Sequence, residues 1–149
     1  MAVVLAAACA SAAPTATSGN AMNISDAQAM PIASNGNAVI VVATIRNQTG
    51  QDDKLTGGSS LGAALVALYA TCSCWPEATD PETGIVGVSR MPQWLIPQGQ
   101  SIQLRVGDGE LIVSGLPQPL AAGQTIEVTF EFAYAAPVTV TVPVVASIP

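Results

Sequence analysis

The sequence contains no histidine, which removes several kinds of chemistry at once. Histidine is the commonest general base, the commonest zinc ligand and the side chain that most often titrates near neutral pH. A serine nucleophile needs a neighbouring base, so the pair Ser59 and Ser60 does not indicate a hydrolase. The sequence therefore argues against an enzyme.

Basic residues are also scarce, because four Lys and Arg stand against ten Asp and Glu, for a formal net charge of −6. A negative protein surface repels phosphate backbones, so no nucleic-acid partner is expected. Hydrophobic residues make up 50% of the 149 positions. This length and composition predict one domain with a hydrophobic core, plus a tail.

The chain starts with a short apolar run, Met1–Ala8, whose small last residues directly precede Cys9. This arrangement resembles a bacterial lipobox, in which cleavage before the cysteine leaves a thiol that carries diacylglycerol. It predicts an extracytoplasmic lipoprotein, anchored through Cys9 to the outer face of the cell membrane. No Lys or Arg precedes the run, which is too short to span a bilayer, and the alternative is a frayed alanine-rich terminus.

Residues 10–20 are small and polar, with Pro and Gly among them and no apolar periodicity. Such a composition is typical of a flexible tether. We therefore divide the chain into a signal with its lipobox (1–9), a tether (10–20) and a folded domain (21–149). The membrane is then one partner through the anchor, and a protein of the cell envelope is the other.

The domain has strand patterns nearly throughout. Apolar and polar residues alternate from Ile126 to Phe132 and again from Val138 to Val144, which is typical of half-buried antiparallel strands. Further strands are predicted at Met22–Ala29, where Pro31 stops the strand, and at Ala38–Asn47, Lys54–Ser60 and Leu61–Ala70, the last favoured over a helix. Short strands between Gly and Pro turns, without a βαβ rhythm, predict an all-β Greek-key sandwich.

The segment Ile102–Pro119 is expected to organise the other strands. It contains two short strand patterns around Gly107-Asp108-Gly109, and glycines in this arrangement supply the positive φ that tight hairpin turns need. We therefore predict a β-hairpin here, with the remaining strands wrapped around it.

A series of short motifs follows one order between residues 22 and 145. They are Ile24-Ser25-Asp26-Ala27-Gln28-Ala29, Asp52-Asp53-Lys54-Leu55, Ser59-Ser60, Ile96-Pro97-x-Gly99 and Gly115-Leu116-x-x-Pro119-Leu120-x-x-Gly123. Their order and spacing are similar to the PCuAC family of periplasmic copper chaperones. The resemblance implies a cupredoxin-like β-sandwich that binds Cu(I) through a His or Met, a second Met and a final His-x-Met pair, for respiratory oxidase assembly.

The residues at the implied ligand positions do not suit copper. The first falls on Tyr69, the second near Val88, and the final pair on Glu110 and Ile112. Cu(I) is soft and prefers thiolate, thioether or imidazole, which none of these side chains provides. The sequence thus most resembles ligand-poor actinobacterial lipoproteins of the same fold, and no cofactor is expected at these positions.

A second set of residues leaves Cu(I) open as a cofactor. Cys72 and Cys74 form a Cys-x-Cys pair between two of the degenerate positions, and Met91 lies a little beyond. These are soft ligands, and Cys-x-Cys can hold Cu(I). The alternatives are a disulfide formed in an oxidising compartment and a pair of bare thiols.

The tryptophans near this loop, Trp75 and Trp94, either cap the sandwich or present a surface for a partner. The preferred hypothesis is a non-catalytic interaction module that keeps the copper-chaperone fold without its ligands. The alternative is a divergent Cu(I) chaperone that uses Cys72 and Cys74.

Overall fold

A computed structural model describes residues 21–71, 79–81 and 83–149. Within these ranges the chain forms ten strands and no helix. The strands are β1 (Met22–Ile32), β2 (Asn35–Asn47), β3 (Asp53–Ser59), β4 (Leu65–Thr71), β5 (Val88–Met91), β6 (Trp94–Ile96), β7 (Ser101–Leu104), β8 (Gly109–Ser114), β9 (Thr125–Phe132) and β10 (Val138–Pro143).

The strands form two antiparallel sheets. Sheet A has the order β1-β2-β8-β4-β5, with β7 also paired to β2, and sheet B has the order β10-β9-β3-β6. One hydrophobic cluster contains residues of both sheets, among them Val41, Leu111, Leu55 and Phe130, and therefore lies between them. The predicted all-β sandwich is confirmed.

The alternation predicted for the last two strands gives sheet B its two faces. Ile126, Val128 and Phe130 of β9 are buried, whereas Glu127 and Glu131 are exposed. β10 pairs with β9 in register, so that Thr139 lies opposite Thr129 and their hydroxyl oxygens are 2.8 Å apart. Sheet B thus has one apolar face against the core and one polar face toward solvent.

Sheet A differs because its central strands are buried on both faces, all along β8 and over much of β2 and β4. Along β2, Val39, Val41 and Ala43 face the core between the sheets, and Ile40 and Val42 belong to a second hydrophobic cluster. All buried members of that second cluster belong to strands of sheet A: Ile32, Ala38, Ile40, Val42, Ala67, Tyr69, Val88 and Ile112. Ile85 and Ile148 pack against it from outside the sheet. We call this second layer the outer cluster.

The predicted hairpin at 102–119 is wrong. β7 and β8 both pair antiparallel with the same edge of β2, with Ala43 opposite Leu104 and Val41 opposite Leu111. They therefore run in one direction along β2, and residues 105–108 separate them. The glycines do make a tight turn, with Gly107 at φ 80° and a hydrogen bond from the Arg105 amide to the Gly109 carbonyl at 2.7 Å. The turn returns the chain to its original direction and does not reverse it.

Three strand boundaries also differ from the sequence prediction by three residues or more, and one of them is the start of β2, which lies at Asn35 rather than Ala38. β1 continues through Pro31 to Ile32, because β1 is an edge strand and its missing amide hydrogen bond can face away from the ladder. The segment Leu61–Ala70 is a strand as favoured, but only from Leu65, since the Ala63 amide bonds the Ser60 carbonyl at 3.1 Å in a turn with Gly62 at φ 81°.

The two ends of the sandwich are built from different loops. The Ala21 end contains Ala21 and loops 48–52, 97–100 and 133–137, joined by the bonds from the Gln48 amide to the Ala21 carbonyl and from the Tyr134 amide to Oδ1 of Asp53. The Leu61 end contains loops 60–64 and 115–124 and the turn before Asn37, whose carbonyl accepts from the Leu116 amide at 3.0 Å.

The buried side chain of Asn47 holds the Ala21 end together. Its Nδ2 donates to the carbonyls of Gln51 and Ile96, each at 2.8 Å, and its Oδ1 accepts from the amide and hydroxyl of Thr49 at 2.9 and 2.7 Å. Asn47 belongs to sheet A and Ile96 to sheet B, so one fully satisfied amide joins the sheets across the core edge.

The Asn47→Ala variant should be less stable by about 2–4 kcal/mol, because it leaves buried backbone and hydroxyl groups without their partner. Urea denaturation measures this loss. Asn23→Ala, at an exposed position of β1, is the control and should change stability little. Equal stability of the two variants would contradict the role given to Asn47.

The second prediction concerns Gly109, which lies directly under the Trp94 ring. A Cβ at Gly109 would overlap the six-membered ring of Trp94, whereas a Cβ at Gly36 would meet nothing closer than Pro119 Cγ at 3.9 Å. Gly109→Ala should therefore cost about 1–3 kcal/mol through overpacking, and Gly36→Ala should not. Thermal or urea unfolding compares them, and the cost should shrink when Trp94 is replaced by Leu.

Candidate functional site

The four residues predicted at the family's ligand positions come together on the outer face of sheet A. Tyr69 of β4 lies directly opposite Glu110 of β8, and Ile112 is two residues further along the same face. Val88 of β5 lies opposite Thr71 and belongs to the same outer cluster as Tyr69 and Ile112. The topology therefore gathers residues that are up to 43 positions apart in the sequence (112 − 69 = 43).

These side chains form a closed layer. Tyr69 is 0% exposed, Ile112 1%, Glu110 2% and Val88 6%. Val88 and Ile112 contribute hydrocarbon side chains, Tyr69 contributes an aromatic ring, and Glu110 is the one acid among the four. The arrangement has the character of a core, with a single carboxyl group inside it.

The Glu110 carboxyl group is bonded to the turn that precedes it. Its Oε2 accepts from the Gly107 amide at 3.0 Å. The same turn is attached to β4, because the Thr71 amide donates to the Asp108 carbonyl at 2.9 Å. Burial raises the pKa of Glu110 above its ordinary value of 4.5, and the hydrogen bond from Gly107 lowers it by a smaller amount.

The second predicted ligand set is divided by the sheet. Met91 lies opposite Leu68 and packs against the cluster between the two sheets, whereas the outer cluster lies on the other face. Cys72 and Cys74 lie outside the described residues, as does Cys9. A metal site made by these cysteines, with or without Met91, stays a prediction. Among the described residues no three of His, Cys, Asp and Glu are grouped as a metal site would require.

The contact of Trp94 with Gly109 agrees with the interpretation that Trp94 caps the sandwich. Trp94 lies in β6 opposite Leu55, is partly buried, and covers Gly109 across the sandwich. Trp75, its predicted neighbour in a partner surface, lies outside the described residues.

Sequence reasoning missed two cavities, both lined by residues from separate segments. One, of about 530 Å³, lies beside the outer cluster between residues 30–34, Ile40, 84–86 and Ala146. The other, of about 290 Å³, lies at the Leu61 end between residues 60–61, 116–118, Leu120 and 125–127. Neither has a local sequence signal, because the walls meet only through the sheet pairing.

In the part of the chain that the structure describes, no helix has the length and apolar character needed to cross a membrane.

The buried Glu110 predicts a pH dependence of stability. An acid whose pKa is raised on folding binds its proton more tightly in the folded state, so the contribution of Glu110 to stability is greatest below about the unfolded value of 4.5 and is lost as the pH rises through the folded pKa. Glu110→Gln keeps an acceptor for Gly107 and stays neutral. It should therefore be more stable than the native chain at pH 7, with the difference vanishing toward pH 4. Urea denaturation from pH 4 to 8 measures this.

Glu131→Gln, at an exposed position of β9, is the matched control for that series. A gap between Glu110→Gln and the native chain that does not change with pH would mean that Glu110 is not the titrating group.

Solved structures with the same fold are PCuAC domains. The copper-bound PCuAC domain from PmoF2 has a TM-score of 0.65 and 15% identity, over 85% of this chain and 93% of that domain. Cu(I)-bound DR1885 from Deinococcus radiodurans has a TM-score of 0.59 and 20% identity, over 85% of this chain and 78% of that one. Its apo form has a TM-score of 0.58 and 22% identity, over 99% and 98%. At these identities the likeness shows the fold, and the cupredoxin-like prediction is confirmed.

No curated protein matches the sequence significantly. The family model described as "Putative lipoprotein LpqE-like" matches residues 22–144. This range covers nearly the whole described sandwich and agrees with the lipoprotein resemblance drawn from the sequence. The chain therefore belongs to the LpqE-like lipoprotein family.

Proposed function

We propose that the protein is an extracytoplasmic, lipid-anchored interaction module, which has the PCuAC fold but not its copper chemistry and acts by binding rather than catalysis. One observation carries the proposal. The four family ligand positions hold Tyr69, Val88, Glu110 and Ile112, and these side chains are packed into one buried layer.

The chemistry of that layer disfavours Cu(I). A transferable copper ion needs soft donors that a partner can reach, and these side chains offer a phenol, two hydrocarbons and a carboxyl group. The Glu110 carboxyl group already accepts a hydrogen bond from Gly107 and is almost completely enclosed. Bringing a cation to it would require opening the outer cluster, which is part of the core of sheet A.

Membership of the LpqE-like lipoprotein family supports the anchor. In this proposal Cys9 carries the lipid and residues 10–20 connect it to the domain. The described residues begin at Ala21, so the attachment to the sandwich lies beside loops 48–52 and 97–100. The Leu61 end would then point away from the attachment point and be open to a partner in the cell envelope.

The second candidate function is a divergent Cu(I) chaperone that uses Cys72 and Cys74. It is favoured by the position of the pair, which directly follows Thr71, the last residue of β4 and the partner of Val88. The pair therefore begins three residues after Tyr69 and close in sequence to the degenerate positions. The packing of Met91 into the core on the opposite face disfavours Met91 as a third ligand.

An anaerobic Cu(I) titration against a competing chelator separates the two functions. The protein is the reduced full chain with Cys9→Ser. This substitution removes one of the three cysteines in the sequence and leaves Cys72 and Cys74 as the remaining thiols. The interaction module should not compete for Cu(I). Adding Cys72→Ser and Cys74→Ser together should then change nothing.

Stoichiometric uptake that the double substitution abolishes would refute the metal-free module and establish the chaperone. Uptake that the double substitution leaves intact would refute both, and Met91→Leu and Glu110→Gln would then locate the ligands.

A further inference from the structure

We propose that the cavity at the Leu61 end binds a peptide segment of a partner protein, in which an apolar side chain stands next to a lysine or arginine. This inference rests on the proposed function as an interaction module and names the kind of partner. The observations that carry it are an apolar cavity, an almost fully exposed leucine at its edge and one exposed glutamate among the residues that line it.

The cavity has a volume of about 290 Å³ and mostly apolar walls. Leu116, Pro117, Leu120 and Ile126 provide these walls, and Leu61 stands beside them. Binding sites for small groups are concave and mostly apolar, with a few polar groups that set orientation. A space of this size can admit an aliphatic side chain of a partner.

The walls are fixed before any partner arrives. The Leu116 amide and carbonyl are both bonded to Asn37, at 3.0 and 2.9 Å. The Ser60 hydroxyl donates to the Glu127 carbonyl at 2.7 Å, and the Ala121 amide donates to Gln124 Oε1 at 2.7 Å. A preformed cavity costs little ordering on binding, which favours affinity.

Leu61 is 95% exposed, although leucine usually avoids water. It stands on the turn held by the bond from the Ala63 amide to the Ser60 carbonyl. A leucine presented in this way at the edge of an apolar cavity extends the apolar surface available to a partner.

Glu127 gives the cavity its preference for a cation. It is the one charged residue among those that line the cavity. Lys54 is the basic residue of the same sheet, and its carbonyl accepts a hydrogen bond from the Ala133 amide. Ala133 is six residues after Glu127 (133 − 127 = 6), so Lys54 lies about 20 Å from Glu127 in the direction of the strand. The loops of the Leu61 end, residues 60–64 and 115–124, contain no charged residue. A partner lysine or arginine would meet the Glu127 carboxylate without a competing cation from this chain.

The larger cavity beside the outer cluster does not support a comparable inference. Its lining is apolar apart from Ser34 and contains no charged residue that would select a ligand. The charge of Glu127 is what distinguishes the cavity at the Leu61 end.

The test is an NMR titration of the metal-free, full-length chain with two probe peptides. They are acetyl-Ala-Leu-Leu-Lys-Ala-amide and the same peptide with Glu in place of Lys. The lysine peptide should shift the methyl signals of Leu61, Leu120 and Ile126. It should bind at least about threefold more tightly than the glutamate peptide, as expected for an exposed ion pair, with a smaller preference at high salt.

Two variants assign the effect to the cavity. Glu127→Gln should remove most of the preference for lysine, and Leu61→Ser should weaken both peptides. Glu131→Gln is the matched control, because Glu131 is exposed on the same face of β9 and does not line the cavity. It should leave the preference for lysine intact.

The absence of methyl shifts at the cavity, or a preference for lysine that persists in Glu127→Gln, would overturn the inference. Either result leaves the metal-free module standing, because that proposal is decided by the Cu(I) titration. Conversely, copper uptake would refute the module without affecting a measured preference for the lysine peptide.

Discussion

The burial of β8 on both faces is the constraint on which the rest of the structure depends. All six residues Gly109–Ser114 are buried, with Leu111 and Val113 against sheet B and Ile112 in the outer cluster. Glu110 lies on the same face as Ile112, directly opposite Tyr69. A strand covered on both sides must place every side chain in a packed layer. Trp94 packs on Gly109 and fixes the start of β8, and pairing with β2 and β4 fixes the register of β8. The excursion at 105–109 exists because β7 and β8 share one edge of β2.

The same constraint decides what the family ligand positions can do. An open outer face would leave Glu110 and Tyr69 accessible to an ion or a partner. Here Ile85 and Ile148 pack over the outer cluster and make it a second core. The Glu110 carboxyl group then bonds to the Gly107 amide and fixes the turn, so its role in the described structure is local architecture. In the described structure these side chains belong to the packing that holds sheet A together.

Much of this could be predicted from the sequence, but only where a pattern is local. The alternation from Ile126 to Phe132 specified a half-exposed strand, and the collinear motifs indicated the sandwich. Gly107-Asp108-Gly109 led to the wrong prediction of a hairpin. A glycine with positive φ occurs both in hairpin turns and in a tight loop between two strands that continue in the same direction. Only the pairing of both flanking segments with β2 distinguishes them. The burial of Glu110 and the walls of the cavity at the Leu61 end were likewise invisible, since they arise from contacts between distant segments.

The loops at the two ends of the sandwich differ in charge. The loops of the Leu61 end contain no charged residue, whereas Asp52, Asp53 and Lys54 stand at or beside loop 48–52 of the Ala21 end. Asp53 is buried there, and its carboxyl group accepts hydrogen bonds from the backbone amides of Lys54, Tyr134 and Ala135. These bonds hold loop 133–137 against the start of β3. A chain of net charge −6 repels acidic surfaces over most of its area. The Leu61 end is where apolar surface is exposed, in Leu61 and in the walls of the adjacent cavity. If the domain is anchored through Cys9 as proposed, the attachment lies at the Ala21 end, and the Leu61 end is the part that another envelope protein can approach most easily.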